Sequence, residues 1–157
     1  MAQQQGSTMK KLLPYLFLAL VFETSSARAL PVIAPAATPA AASCAEHYNV
    51  VIGVGDKEKV AGALANAFNL QKEFGAQCVN IEMVNFSSAV TALTPMSPAA
   101  TQIKDALKAG INIVACENSL AKFKLTIDDM FPGITAVPSG VAELVKRQKE
   151  GWIYLQP

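Results

Sequence analysis

Ile111-Asn112-Ile113-Val114-Ala115-Cys116-Glu117-Asn118-Ser119-Leu120 decides the fold. Its first half is a short apolar run rich in β-branched residues, which reads as a strand over 111–116 buried on both faces. Its second half turns polar and enters a helix of about two turns through Leu120 and Phe123. In open α/β sheets, ligands and chemistry collect just outside the carboxyl ends of the strands. Cys116 sits at such an end, and the unpaired N–H groups of the following helix favour a thiolate over a thiol. Cys116 is therefore a candidate nucleophile or group carrier. The competing reading is a small buried core residue, since free cysteine is among the most buried residue types.

Outward from this stretch the same alternation repeats. An apolar run over 49–54 is followed by Asp56 as an N-cap, then by Val60, Leu64, Ala67, Phe68 and Phe74 at helical spacing, with Gly75 as the stop. Over 78–84, Val79, Ile81 and Met83 alternate with Cys78, Asn80 and Glu82, the pattern of a half-exposed strand at a sheet edge. After an irregular stretch over 86–96, Ser97-Pro98 opens a helix that buries Ile103 and Leu107 and ends at Gly110. Downstream, Thr126 caps a short turn and Pro132-Gly133 breaks the chain before a strand over 134–137. Ser139 then caps a helix with Val141, Leu144, Val145 and Gln148 on one face, and a last strand covers 152–155. The order β-α-β-α-β-α-β-α-β predicts an α/β fold: a doubly wound, parallel, five-stranded sheet with helices on both faces.

The amino-terminal part reads differently. Lys10-Lys11, the apolar run over 12–22 and Ala27-Arg28-Ala29 form an export leader over 1–29, or 9–29 if Met9 is the initiator. The apolar run is short of the roughly 20 residues that span a bilayer, so a retained anchor is the lesser expectation and no span is expected after cleavage. Residues 30–46, rich in Ala and Pro, bury too little to order themselves and read as a linker. The remaining 47–157 suffice for one domain. Without Lys10, Lys11, Arg28 and Glu23 the charge balance is 10 basic against 11 acidic residues. No basic stripe points to nucleic acid.

Other positions invite chemistry and yield plainer readings. Gly53-Val54-Gly55-Asp56 lies where a phosphate turn would, but position 58 is Glu rather than the third glycine and no P-loop Lys-Ser/Thr pair follows. His47, the only histidine, belongs to the amino edge of the sheet, opposite Cys116, which argues against a Cys–His pair. One histidine and three scattered cysteines give no metal-ligand spacing, and no cofactor is expected. Asp128 and Asp129 read as helix-start caps, and Asn66 and Asn69 as satisfied polar positions. Ser139 is read first as a cap and second as a ligand contact. Cys44 and Cys78 share the amino end of the sheet, so a disulfide between them is sterically open. Cys116, beyond the roughly 7 Å Cα separation that a disulfide tolerates, is expected to be the free thiol.

Several linked segments carry a family resemblance: Cys116-Glu117-Asn118-Ser119-Leu120, Ile127-Asp128-Asp129-Met130-Phe131-Pro132-Gly133-Ile134, Val137-Pro138-Ser139-Gly140-Val141-Ala142-Glu143-Leu144 and Gln148-Lys149-Glu150-Gly151-Trp152-Ile153-Tyr154-Leu155-Gln156-Pro157, with Ala63-Leu64-Ala65-Asn66-Ala67-Phe68-Asn69 upstream. Together they resemble the DsrE/DsrF-like family over about 47–157. The resemblance implies a compact α/β sheet, assembly into trimers or hexamers, and a cysteine that carries sulfur as a persulfide in a relay. That role falls on Cys116, with Asn118, Ser119 and Ser139 as candidate contacts for the substrate. It implies as partners a sulfur donor or acceptor protein or a small thiol, and leaves open whether the chain is a sulfurtransferase or a carrier. Two departures stand out. The relays of that family are largely cytoplasmic, whereas this chain reads as exported and periplasmic. The family's apolar-His-Gly-like segment after the second strand is here Val84-Asn85-Phe86-Ser87.

Overall fold

The computed structural model describes residues 44–157. The expected leader over 1–29 and the expected linker up to residue 43 lie outside the described residues. The five strands are β1 (Tyr48–Val54), β2 (Val79–Asn85), β3 (Asn112–Cys116), β4 (Thr135–Val137) and β5 (Ile153–Leu155). They form one all-parallel sheet in the order β4-β3-β2-β1-β5. Between them run α1 (Val60–Phe74), α2 (Ala100–Lys108), α3 (Glu117–Lys122) and α4 (Gly140–Lys149). None of the helices among the described residues is long and apolar enough to cross a membrane.

The local signals act where the sequence places them. Asp56 accepts the Glu58 N–H at 3.1 Å and caps a 3-10 turn, Lys57–Lys59, that feeds α1. Val60, Ala63, Leu64 and Ala67 then recur at three- and four-residue steps and bury one stripe of that helix. Gly75, at φ 90°, stops it in a conformation that costs other residues a steric clash. Ser97 accepts the Ala99 N–H at 3.1 Å, but the Ser97-Pro98 pair forms a turn ahead of α2 rather than its cap and first residue: the helix begins at Ala100, with Ala99 as N-cap.

The two faces of the sheet are built differently. Val50, Ile52, Ile81, Met83, Ile113 and Ala115 pack against Leu64 of α1, Ile103 of α2 and Leu120 of α3 in the main core. On the other face Val51, Val84 and Val114 meet only Leu144 of α4, flanked by Phe86, Val137 and Trp152.

That second face overturns two expectations. β2 is the central strand, not an edge. Its alternating Asn80 and Glu82 point to the α4 face, where Asn80 bonds Asn49 at 2.8 Å and Glu82 is buried against Arg147. A polar residue in a strand marks solvent only when nothing polar covers it, and here α4 delivers an arginine. The stripe predicted for α4 is also displaced. Leu144 is buried as expected, but Val141 and Val145 are 58% and 61% exposed, and the sheet-facing positions are Gly140, Glu143 and Leu144.

At the amino end of the sheet Cys44 and Cys78 form a disulfide with Cα atoms 5.5 Å apart. It fastens the end of the expected linker to the start of β2, beside the bond from the Tyr48 N–H to the Cys78 carbonyl. His47 is exposed at this same end.

Candidate functional site

Cys116 is both the last residue of β3 and the N-cap of α3, with extended backbone (φ −76°, ψ 116°). An N-cap side chain sits where the second and third N–H groups of the helix point, the position usually taken by a serine or aspartate oxygen. Here a sulfur stands there. It is the free thiol, as expected from the sequence.

The surroundings of the sulfur act in opposite senses. Burial pushes the thiol pKa up. Against it stand the Ser119 hydroxyl and the backbone N–H groups of Gly140, Ser119 and Asn118, and these win: the Cys116 pKa lies below the ordinary thiol value. No backbone N–H of α3 closes a full cap bond onto the sulfur, so the effect is a sum of several donors from two helix starts. Glu117, next in sequence, is exposed, so solvent screens its carboxylate from the buried thiol.

Each donor has a structural reason to be there. Ser119 Oγ accepts the Ser87 N–H at 2.8 Å, which occupies a lone pair and leaves the hydroxyl proton for the sulfur. Ser87 makes this bond from a left-handed conformation, φ 49°, one that costs a non-glycine residue roughly 1–2 kcal/mol. Gly140 comes from the far side, as the first residue of α4. A Cβ there would lie 3.2 Å from Cys116 Cβ, 3.1 Å from Phe86 Cβ and 3.3 Å from Val84 Cγ1, so glycine is what lets this helix start approach the cysteine. Cys116 is only 4% exposed, under this cover. Any group that reacts with this sulfur has to displace part of it, because exchange needs a reachable thiolate.

Of the residues singled out in the sequence, the structure brings Cys116, Asn118 and Ser119 together. Asn118 contributes its backbone N–H, and its side chain is exposed. Ser139 lies one residue from Gly140 and accepts the Ala142 N–H at 3.4 Å, the capping position. Phe86 and Ser87 stood out only as a departure from the family's apolar-His-Gly-like segment, and Gly140 was not singled out at all. A glycine in the first turn of a helix, behind a Pro-Ser cap, was the one available signal.

The remaining candidates are structural in this arrangement. Gly53 and Gly55 make room for aromatic side chains: a Cβ would meet the Tyr154 ring at 2.9 Å and the Phe86 ring at 3.0 Å. Asp129 accepts the Thr126 N–H at 2.8 Å and caps the turn Ile127–Asp129, while Asp128 is exposed. Asn66 and Asn69 line a cleft of about 410 Å³ beside Leu155, away from Cys116. Among the described residues no group of His, Cys, Asp and Glu is placed to hold a metal ion.

Comparison with known proteins agrees with this architecture. A protein of unknown function from Methanobacterium thermoautotrophicum is 31% identical, with a TM-score of 0.66 over 70% of this chain and 99% of its own. The ychN protein of E. coli shares the fold at 13% identity, with a TM-score of 0.60 over 71% and 99% of the two chains. So does a conserved protein of unknown function from Bacteroides thetaiotaomicron, at 23% identity and a TM-score of 0.55 over 69% and 94%. No curated protein matches the chain. The model of the DsrE/DsrF-like family matches residues 56–157, which contain β2 to β5, all four helices and Cys116, and the chain belongs to that family.

Proposed function

We propose that the chain carries sulfane sulfur as a persulfide on Cys116, in an exported protein. The observation that carries this reading is the set of donors from α3, Ser119 and α4 that favours the Cys116 thiolate in spite of its burial. The thiolate attacks the outer sulfur of a donor persulfide, R–S–SH. The donor S–S bond breaks, a Cys116 Sγ–S bond forms and R–S⁻ leaves. An acceptor thiolate then takes the outer sulfur in the same way and returns Cys116 to its thiolate. No net oxidation occurs, and no cofactor is needed. The partners are a donor and an acceptor, each a protein or a small thiol, and the carrier works as a homo-oligomer, a trimer or hexamer.

Export rests on Lys10-Lys11, the apolar run over 12–22 and the small-x-small Ala27-Arg28-Ala29. The Cys44–Cys78 disulfide supports a periplasmic location, because disulfides persist in oxidising compartments. The test is polysulfide loading of the full chain, read by intact mass. Additions of about 32 Da per sulfur atom, absent in Cys116→Ser, are expected. A wild type that gains no sulfur overturns the carrier.

The 4% exposure of Cys116 favours one alternative, a non-catalytic binding or assembly module with a structural cysteine. Its signature is a Cys116→Ser chain that keeps its assembly and partners in full.

A further inference from the structure

Among the described residues α4 is the only helix on its face of the sheet, and its apolar hold there is slight. Leu144 is its one large buried apolar side chain. One turn further on, Arg147 supplies what apolar area does not. Its Nε donates to Glu82 Oε1 at 2.9 Å and its Nη2 to Glu82 Oε2 at 2.6 Å. Asn112 Nδ2 donates to the same carboxylate at 2.8 Å. Arg147 also meets Glu143 at 3.2 Å and Glu150 at 3.1 Å, and its guanidinium lies 4.7 Å from the Trp152 ring centroid. Lys146 is the other cation here, 3.4 Å from Glu143.

Glu82 is 2% exposed, in the middle of the central strand. A carboxylate at that depth is stable only with its partner in place. Lifting α4, or sliding it along β2, strips that partner away. At the other end of the helix Gly140 fits so closely against Cys116, Phe86 and Val84 that a Cβ would crowd all three, at 3.1–3.3 Å. Gly140, Leu144 and Arg147 fall at i, i+4 and i+7, so the three attachments form one stripe, and fixing its far end fixes the pitch of the whole helix.

We propose that the Arg147–Glu82 clamp is a positioning device for the Cys116 site: it sets the register of α4 on β2 and so keeps the start of that helix, at Gly140, packed against Cys116. The inference deepens the carrier reading and rests on its view of Cys116 as a working thiolate. Arg147 touches no reacting atom and acts only through the helix. Hydrogen bonding weakens steeply with distance and angle, so a small displacement is felt at the sulfur before it is felt in the fold. The two-pronged contact matters, since lysine offers a point charge where arginine offers a matched fork.

With Cys44 and Cys78 bonded, Cys116 is the single thiol of a three-cysteine chain, so thiolate ultraviolet absorbance titrates it directly once the Cys116→Ser background is subtracted. In the full chain, Arg147→Met is expected to raise the midpoint by roughly 0.5–1 pH unit, about a three- to tenfold smaller thiolate fraction near neutral pH. Arg147→Lys and Glu82→Gln are expected to give smaller rises in the same direction. Leu64→Ala, which loses stability from the opposite face, leaves the midpoint in place. An unchanged midpoint in folded Arg147→Met overturns the clamp. Where that variant does not fold, Arg147→Lys and Glu82→Gln decide by the same criterion. Polysulfide loading separates the two proposals. A wild type that takes up no sulfur while the midpoints still shift retires the carrier alone, and loading with fixed midpoints retires the clamp alone.

Discussion

The face of the sheet under α1, α2 and α3 and the face under α4 divide the labour of this molecule. The first gathers 22 buried residues into one apolar core, while the second gathers four. On the second face lie instead a buried carboxylate, an arginine held by three acids, and the thiol. Apolar packing is non-directional and tolerant of small shifts, whereas hydrogen bonds and ion pairs fix distance and angle. Apolar stability therefore concentrates where direction matters little, and the thiol sits where direction matters most.

The sharpest attempt to break this division is Leu64→Ala, on the first face. Removing a fully buried leucine is expected to cost about 4 kcal/mol by urea unfolding, with no movement of the Cys116 titration. A shifted titration would mean the faces are coupled. Opening the Cys44–Cys78 disulfide, which closes a separation of 34 residues at the amino end, is expected to cost roughly 3 to 4 kcal/mol and again to spare the thiol.

On the second face the balance reverses. Gly140→Ala gains helix propensity but forces a methyl group into three contacts near 3.2 Å. The net expectation is a loss of about 1 kcal/mol, with a clear rise in the thiol pKa. Ser119→Ala removes one donor and orphans the Ser87 N–H. About 1 kcal/mol of destabilisation is expected, and iodoacetamide alkylation should begin at higher pH.

The smallest effect is one of linkage. Because the folded pKa of Cys116 is lowered, the thiol contributes stability that is fully present above the unfolded thiol value and is lost as pH falls through the folded one. The urea midpoint of wild type relative to Cys116→Ser should accordingly rise with pH across that window. A flat difference would remove the thiolate from the account.

The strands were legible because β-branched apolar runs over 49–54 and 111–116 have few other readings. What misled was polarity. Asn80 and Glu82 carry the period of an exposed edge, and while Asn80 does stay exposed, the partner of Glu82 on α4, 65 residues away, makes that carboxylate interior. Val141 and Val145 misled in the opposite sense, since an apolar side chain at helical spacing does not say which side of the helix meets a sheet. Cys116 was legible from its strand-to-helix junction. Gly140 and Ser87 were not, because what they contribute is a backbone N–H, which every residue but proline owns. Only the path of the chain decides where that group points.

The two sulfur centres sit at opposite ends of neighbouring strands. Cys78 precedes β2, and Asn85 pairs with Ala115, so Cys116 lies level with position 86. Eight residues at about 3.3 Å each put roughly 26 Å between them. No other cysteine of the chain can therefore reach a group bound at Cys116. Under the carrier proposed above, the lifetime of a sulfur atom on Cys116 would be set by encounters with other molecules, which makes delivery a matter of concentration and recognition rather than of an internal clock.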